Sequence, residues 1–242
     1  MAYIKIFLTN LGKLNEQELV GKWVDLPCDL DKELAEIGVS DKPDKYGRYY
    51  DEYCITDYET DIPGLEISEY SAVDELNKIA EQCENLDDSE LAVLGAAMDG
   101  LNRTFEDSLD IVRKGSWRIW SGCDDMTDVA REYVSELGGV FEAVNNYANY
   151  FNMQDYMDSH GRYAADDLAD MWTSNGTFDD YGEAYDAALA YEEDETRDLL
   201  NNGELDSDTV ERYFDYESFG NELDLDGTFY KTDKGMVEFI NY

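Results

Sequence analysis

One histidine in 242 residues, His160, excludes every metal motif that needs paired imidazoles. The chain has no Gly-x-Ser-x-Gly nucleophile elbow and no glycine-rich phosphate loop with its lysine. Cysteines are few: Cys28, Cys54, Cys83 and Cys123 are separated by 26, 29 and 40 positions, which fits neither a zinc knuckle nor a compact disulfide scaffold. Reduced core thiols are the expectation. No stretch approaches the roughly 18 apolar residues of a membrane span. The first ten residues hold too short an apolar run for a signal peptide and no small-residue cleavage site, so a soluble, cytosolic protein is expected. Positive charge is scarcest of all, with 18 Lys and Arg against 58 Asp and Glu, a formal net charge of −40.

What is present is a folded acid. Hydrophobic residues make up 43% of the chain and aromatics 13%, which argues against disorder and provides for one or more buried cores. Residues 1–120 carry 27 acids and 12 bases and residues 121–242 carry 31 and 6, so both halves are acidic, the second more so. Duplex DNA carries one charge per about 1.7 Å of axis, and forty charges match about 68 Å, or about 20 base pairs. Self-repulsion on this scale destabilises a compact state, so a fold that tolerates it has a use for it. Solubility and halophilic adaptation are the plainer explanations of such a composition.

The pattern along the chain indicates an α+β protein in three parts. Residues 1–62 read as a β-β-α-β domain: strands at Tyr3 to Thr9, Gly21 to Pro27 and Glu52 to Tyr58, a turn-rich link at 10–15, and a helix from Asp29 to Ile37 stopped by Gly38. Residues 63–115 read as a central helical domain, with helices from Ser71, Ser89 and Thr104, each opened by a capping type of residue. Residues 116–242 form an acidic α+β domain that begins with a strand at Trp117–Trp120. Its first helix, Asp124 to Leu137, turns Val129, Ala130, Tyr133, Val134 and Leu137 inward, and leaves Asp128, Glu132 and Glu136 at i, i+4 spacing on the other side. Like charges so placed weaken a helix by a few tenths of a kcal/mol per pair, and Arg131 is the one base among them. A solvated helix face would normally intersperse bases, which favours a functional acidic surface.

The last third carries internal similarity. Tyr150-Phe-Asn-Met-Gln-Asp-Tyr156 aligns without a gap to Tyr213-Phe-Asp-Tyr-Glu-Ser-Phe219, Gly176-Thr-Phe178 is echoed by Gly227-Thr-Phe229, and Asp124–Asp128 resembles Asp179–Glu183. These matches suggest tandem repeats over 121–178 and 179–242, against the alternative of chance likeness between acidic, aromatic-rich segments. Residues 140–210 hold 18 acids and two bases. His160 lies in a turn-like context and reads as a solvated loop residue. Glu222, Asp224, Asp226, Gly227 and Asp233 fall in a calcium-loop register, but Glu222 and Asp233 occupy places that want Asp and Glu. The residues that follow alternate like two strands joined at Asp233–Gly235. No metal, no cofactor and no catalytic group is expected.

Four ordered segments resemble the ArdA antirestriction family of conjugative elements and phages. They are Asn10-Leu-Gly-Lys-Leu-Asn-Glu-Gln-Glu-Leu-Val-Gly-Lys-Trp23, Glu52-Tyr-Cys-Ile-Thr-Asp-Tyr-Glu59, Cys123-Asp-Asp-Met-Thr-Asp-Val-Ala-Arg-Glu-Tyr133 and the stretch from Tyr213 to Phe229. The family's C-terminal motif reads Gly-Arg-Asp-Leu where this chain has Gly220-Asn-Glu-Leu223, and a Gly-Arg pair stands instead at Gly161-Arg162. The chain is also longer than typical members, with the excess falling roughly between 152 and 210. The resemblance implies an elongated, three-domain, dimeric, non-enzymatic protein whose carboxylates imitate the phosphates of bent B-form DNA. Such a protein occupies the DNA-binding groove of Type I restriction-modification enzymes, on the methyltransferase core; no direct binding to nucleic acid or membrane is expected, because the chain's own charge would repel nucleic acid and anionic membranes alike. The candidate phosphate-mimicking carboxylates are Asp124, Asp125, Asp128, Glu132, Glu136, Asp166, Asp167, Asp170, Asp179, Asp180, Glu183, Glu192, Glu193, Asp194 and Glu195. By resemblance the dimer contact is placed at Val140, Phe141, Val144, Tyr147 and Phe151, with intradomain core as the other reading of those residues. Two competing functions are an acidic module aimed at another DNA-binding protein or defence system, and an acid-rich enzyme whose site the sequence does not reveal.

Overall fold

The computed structural model describes residues 2–240, without the side chain of Asp226, and the chain is α+β. It divides into two compact units, residues 2–122 with 229–240, and residues 123–228.

In the first unit, β1 (Ile4–Asn10) is the centre of a three-stranded antiparallel sheet, flanked by β2 (Gly21–Leu26) and β3 (Tyr53–Thr60). Its register pairs Ile4 with Leu26 on one side and with Thr60 on the other. Ile4, Ile6 and Leu8 alternate onto one face and are buried, the two-residue period of a strand packed on one side. Between β1 and β2 the chain forms one helical turn and a half, α1 (Leu11–Asn15), because Asn10 caps it by accepting from the Lys13 N–H. Helix α2 (Leu30–Glu36) is capped by Asp29.

Three helices share the core of this sheet: α3 (Val73–Cys83), α4 (Asp88–Asp99) and α5 (Phe105–Lys114). The expected caps at Ser71 and Ser89 are displaced. Ala72 is the N-cap residue of α3 and makes no side-chain bond, while Asp87 caps α4 in a reciprocal box with Glu90. Thr104 does cap α5, and Gly115, at φ 66°, ends it in the left-handed conformation that glycine adopts without steric cost. A second antiparallel sheet orders β4 (Trp117–Trp120), β6 (Gly235–Phe239) and β5 (Phe229–Thr232), with β6 in the middle. Cys54 and Cys83 are buried free thiols in this unit and Cys28 is half-buried; burial pushes Cys83 up to about 11.

The second unit is helical: α6 (Met126–Glu136), α7 (Val140–Asn146), a 3-10 turn at Ala148–Tyr150, α8 (Met153–Tyr156), a π turn at Met157–Gly161, α9 (Arg162–Ser174), α10 (Tyr181–Asn201), α11 (Ser207–Tyr213) and α12 (Tyr216–Asp226). Helix α12 packs on α6, close enough that any side chain at Gly220 would strike the Met126 carbonyl. Helix α9 packs on α10 through Ala165, Ala169, Ala184 and Ala188, all fully buried. The aromatic core is formed by α6, α7, the 3-10 turn, α11 and α12, where the Phe219 ring meets Tyr147 at 4.8 Å, Tyr150 at 5.1 Å and Phe214 at 5.6 Å.

Candidate functional site

The second unit concentrates the charge. Residues 123–228 hold 29 acids against four bases, all arginines, a net of −25, and the segment contains no lysine. Helix geometry places these acids. On α6 the inward residues Val129, Ala130 and Val134 are buried, which turns Glu132 and Glu136 to the surface and leaves Asp128 half-buried. On α9 the buried Ala165 and Ala169 set the opposite face, and Asp166, Asp167 and Asp170 are exposed. On α10, Glu183, Glu193, Asp194 and Glu195 are exposed and Glu192 is half-buried. Asp124, Asp125, Asp179 and Asp180 are exposed on the approaches to α6 and α10. Asp186 and Asp198, also exposed on α10, belong with this set, although no sequence motif marks them.

Several of these carboxylates hold the backbone as well as facing water. Asp125 accepts from the Asp128 N–H at 3.0 Å and caps α6, while Asp128 accepts from the Asp124 N–H at 2.9 Å. Asp180 caps α10 by accepting from the Glu183 N–H at 3.1 Å. Asp166 accepts from the Tyr181 hydroxyl at 3.0 Å, tying the start of α10 to α9 and holding that phenol above its ordinary range. Each bond fixes a charge in place while leaving it on the surface, where N-cap carboxylates also suit the helix dipole.

Positive charge is largely engaged inside the unit. Arg197 pairs with Glu193 at 2.8 Å and Arg162 with Asp158 at 2.8 Å. Arg131 lies 3.8 Å from Glu211 and stacks on Tyr216, 4.2 Å from the ring centroid. Burial, followed by repulsion from Glu195, raises the Glu192 carboxyl, and the charge of Glu195 raises the Tyr191 phenol. At these two groups like-charge repulsion from Glu195 disfavours ionisation, the local counterpart of the overall charge.

Among the residues expected at a dimer contact, Val140, Val144 and Phe151 are buried in the core of the second unit, and Phe141 and Tyr147 are half-buried against it. His160, expected in a solvated loop, sits instead in the π turn. It stacks on Tyr156 at 4.8 Å, and its Nδ1 lies 3.4 Å from the Tyr213 hydroxyl. The calcium-like register at 222–233 falls across the end of α12 and the β5–β6 hairpin. No group of three or more His, Cys, Asp or Glu among the described residues is arranged to hold a metal ion. No helix among them is long and apolar enough to cross a membrane. A cleft of about 330 Å³ lined by Met153, Gln154, Met157, Asp158, Arg162, Leu189 and Glu193 holds only the exposed Asp158–Arg162 pair and the arginine-bound Glu193 as charged groups.

The family model for "Antirestriction protein (ArdA)" matches residues 6–165. No curated protein matches the chain.

Proposed function

Because the chain belongs to the ArdA antirestriction family, whose members act on restriction-modification enzymes, we propose that it blocks the DNA-binding groove of Type I enzymes by imitating B-form DNA. One observation carries the proposal: the second unit holds 29 acids against four arginines, and most of the carboxylates on its helices are exposed. Helix α10 spans 21 residues, about 30 Å. It bears Glu183, Asp186, Glu192, Glu193, Asp194, Glu195 and Asp198, one carboxylate per about 4 Å of axis, against one phosphate per about 3.4 Å along a DNA strand.

A groove lined with Lys and Arg to neutralise phosphates meets such an array with its bases already placed. Helices held by side-chain caps and an alanine seam lose little ordering entropy on binding, unlike a flexible acidic tail. Contacts to phosphate carry no sequence information, so the mimic needs no base edges and acts across enzymes of different sequence specificity. No reaction is involved, and the methyltransferase core, which holds DNA for both modification and restriction, is the partner surface. Two such arrays, on two chains as the family resemblance implies or on two copies within one chain, would double the imitated length.

The test is competition with duplex DNA for a purified Type I enzyme at low and high salt. Displacement that weakens as salt rises is expected. Absence of displacement would shift the target to another DNA-binding protein or defence system, and displacement indifferent to salt would refute the electrostatic mechanism.

A further inference from the structure

The two Tyr-Phe segments that resemble each other in sequence lie against each other in the second unit, and their contacts are reciprocal. The Asn152 N–H donates to the Tyr213 carbonyl at 2.7 Å, and the Asp215 N–H donates to the Tyr150 carbonyl at 2.7 Å. Phe151 and Phe214 form the antiparallel bridge between these bonds. Asn152 caps α8 by accepting from the Asp155 N–H at 3.1 Å, and Asp215 caps α12 by accepting from the Ser218 N–H at 2.9 Å.

The correspondence extends upstream. Helix α6 ends with the Gly138 N–H on the Ser135 carbonyl and the Gly139 N–H on Val134. Helix α10 ends with the Gly203 N–H on Leu200 and the Glu204 N–H on Leu199. Both are Schellman-type closures with glycine in the left-handed region, each followed by a short helix, α7 or α11. Packing then crosses between the copies. The first helix of one copy, α6, packs on the last helix of the other, α12, and α10 packs on α9 in the same exchanged sense. Helix α11 touches α7 and α8, and α12 touches the 3-10 turn at 148–150.

We infer that residues 124–226 are a tandem duplication folded as an intertwined pseudo-two-fold pair, so that each copy is seated on the apolar surface of the other within one chain. The seat is the apolar surface of Val140, Val144 and Phe151, and Leu200, Val210 and Phe214 fill it from the same chain. The alternative is the two-chain contact through Val140, Phe141, Val144, Tyr147 and Phe151. With the seat filled, one chain presents two acidic helix pairs, and the protein acts as a monomer. That last consequence rests on the DNA-mimic reading; the pairing itself does not.

Two measurements on the full chain test it, run beside the DNA competition. Sedimentation equilibrium over a wide concentration range, at low and high salt, is expected to return the mass of one chain throughout. A stable two-chain particle, by exchange of copies or through another face, overturns the inference. Hydrogen exchange at the Asn152 and Asp215 amides is expected to show protection that is independent of protein concentration, as an intrachain bond requires; protection lost on dilution overturns it. A two-chain particle that displaces DNA sinks this inference alone, and a single chain that does not displace DNA sinks the mimic reading alone.

Discussion

Neutralising Glu192, Asp194 and Glu195 together, as Gln, Asn and Gln, is expected to weaken inhibition of a Type I enzyme without weakening the fold. These three share the C-terminal half of α10, whereas Glu193 is left in place because it holds Arg197 at 2.8 Å. An exposed ion pair contributes about 0.2–1 kcal/mol, so three charges lost from a distributed contact remove about 0.6–3 kcal/mol, a shift of about 3- to 150-fold in the inhibitory concentration. Each single substitution should change it by less than about fivefold. Stability should move the other way. Glu192 and Glu195 are like charges at i, i+3 and Asp194 and Asp198 at i, i+4, each pair costing the helix a few tenths of a kcal/mol. The assay is displacement of labelled duplex from the enzyme at two salt concentrations, with a thermal melt of each variant. An unchanged triple variant would remove this helix from the contact surface. A single variant that abolished inhibition with its melt intact would show a localised site and refute distributed mimicry.

Glu192→Gln alone should raise the melting temperature at neutral pH. Burial and Glu195 lift this carboxyl above its usual 4.5, so the ionised form costs the fold stability at pH values above the folded pKa. That cost fades as pH falls through the folded pKa and is absent below 4.5, where both states are protonated. A variant that melts identically to the parent at neutral pH would contradict the assignment. Asn152→Ala and Asp215→Ala remove equivalent caps and should each destabilise the second unit by about 1 kcal/mol, measured by denaturant unfolding. If one were silent, the two copies would not be equivalent supports.

How much of this was legible in the sequence depended on the range of the interaction concerned. The alternation of Ile4, Ile6 and Leu8, the cap at Thr104 and the stop at Gly38 are local, and local pattern reveals them. The start of α4 shows where local pattern fails: Asp87, Asp88 and Ser89 are all capping types, and the choice of Asp87 is made by Glu90 reaching back to close the box. The pairing of Trp117–Trp120 with Met236–Phe239 joins segments more than 100 residues apart and leaves no periodic trace, so the second sheet reads from sequence only as isolated strands. At the candidate site the acidic stripe of α6 was readable from its i, i+4 spacing. The alanine seam of α9 and α10 carries the same spacing, yet alanine is too mild a signal to announce which helices it joins. Apolar Val140, Val144 and Phe151 could equally face a partner or a core; in the folded chain they lie in the core of the second unit.

A unit with 29 acids and four arginines must have its mutual repulsion offset by packing, and the aromatic cluster around Phe219 is where that packing concentrates. Truncating a buried Phe costs about 3–5 kcal/mol, while a whole domain is stable by only about 5–15 kcal/mol. Phe219→Ala should therefore bring the second unit close to unfolding at low ionic strength. Salt should partly restore it, because the Debye length falls from about 10 Å at 0.1 M to about 3 Å at 1 M, which screens carboxylates on neighbouring helices while leaving the cavity unfilled. Hydrogen exchange localised to residues 123–228 reads the effect without interference from the first unit. The expected result is deprotection at low salt and substantial recovery at high salt, using a chloride salt to limit preferential-exclusion effects on burial. Equal deprotection at both salt concentrations would show that repulsion is not what the aromatic core opposes, and that the exposed charge is accommodated by the fold at little cost.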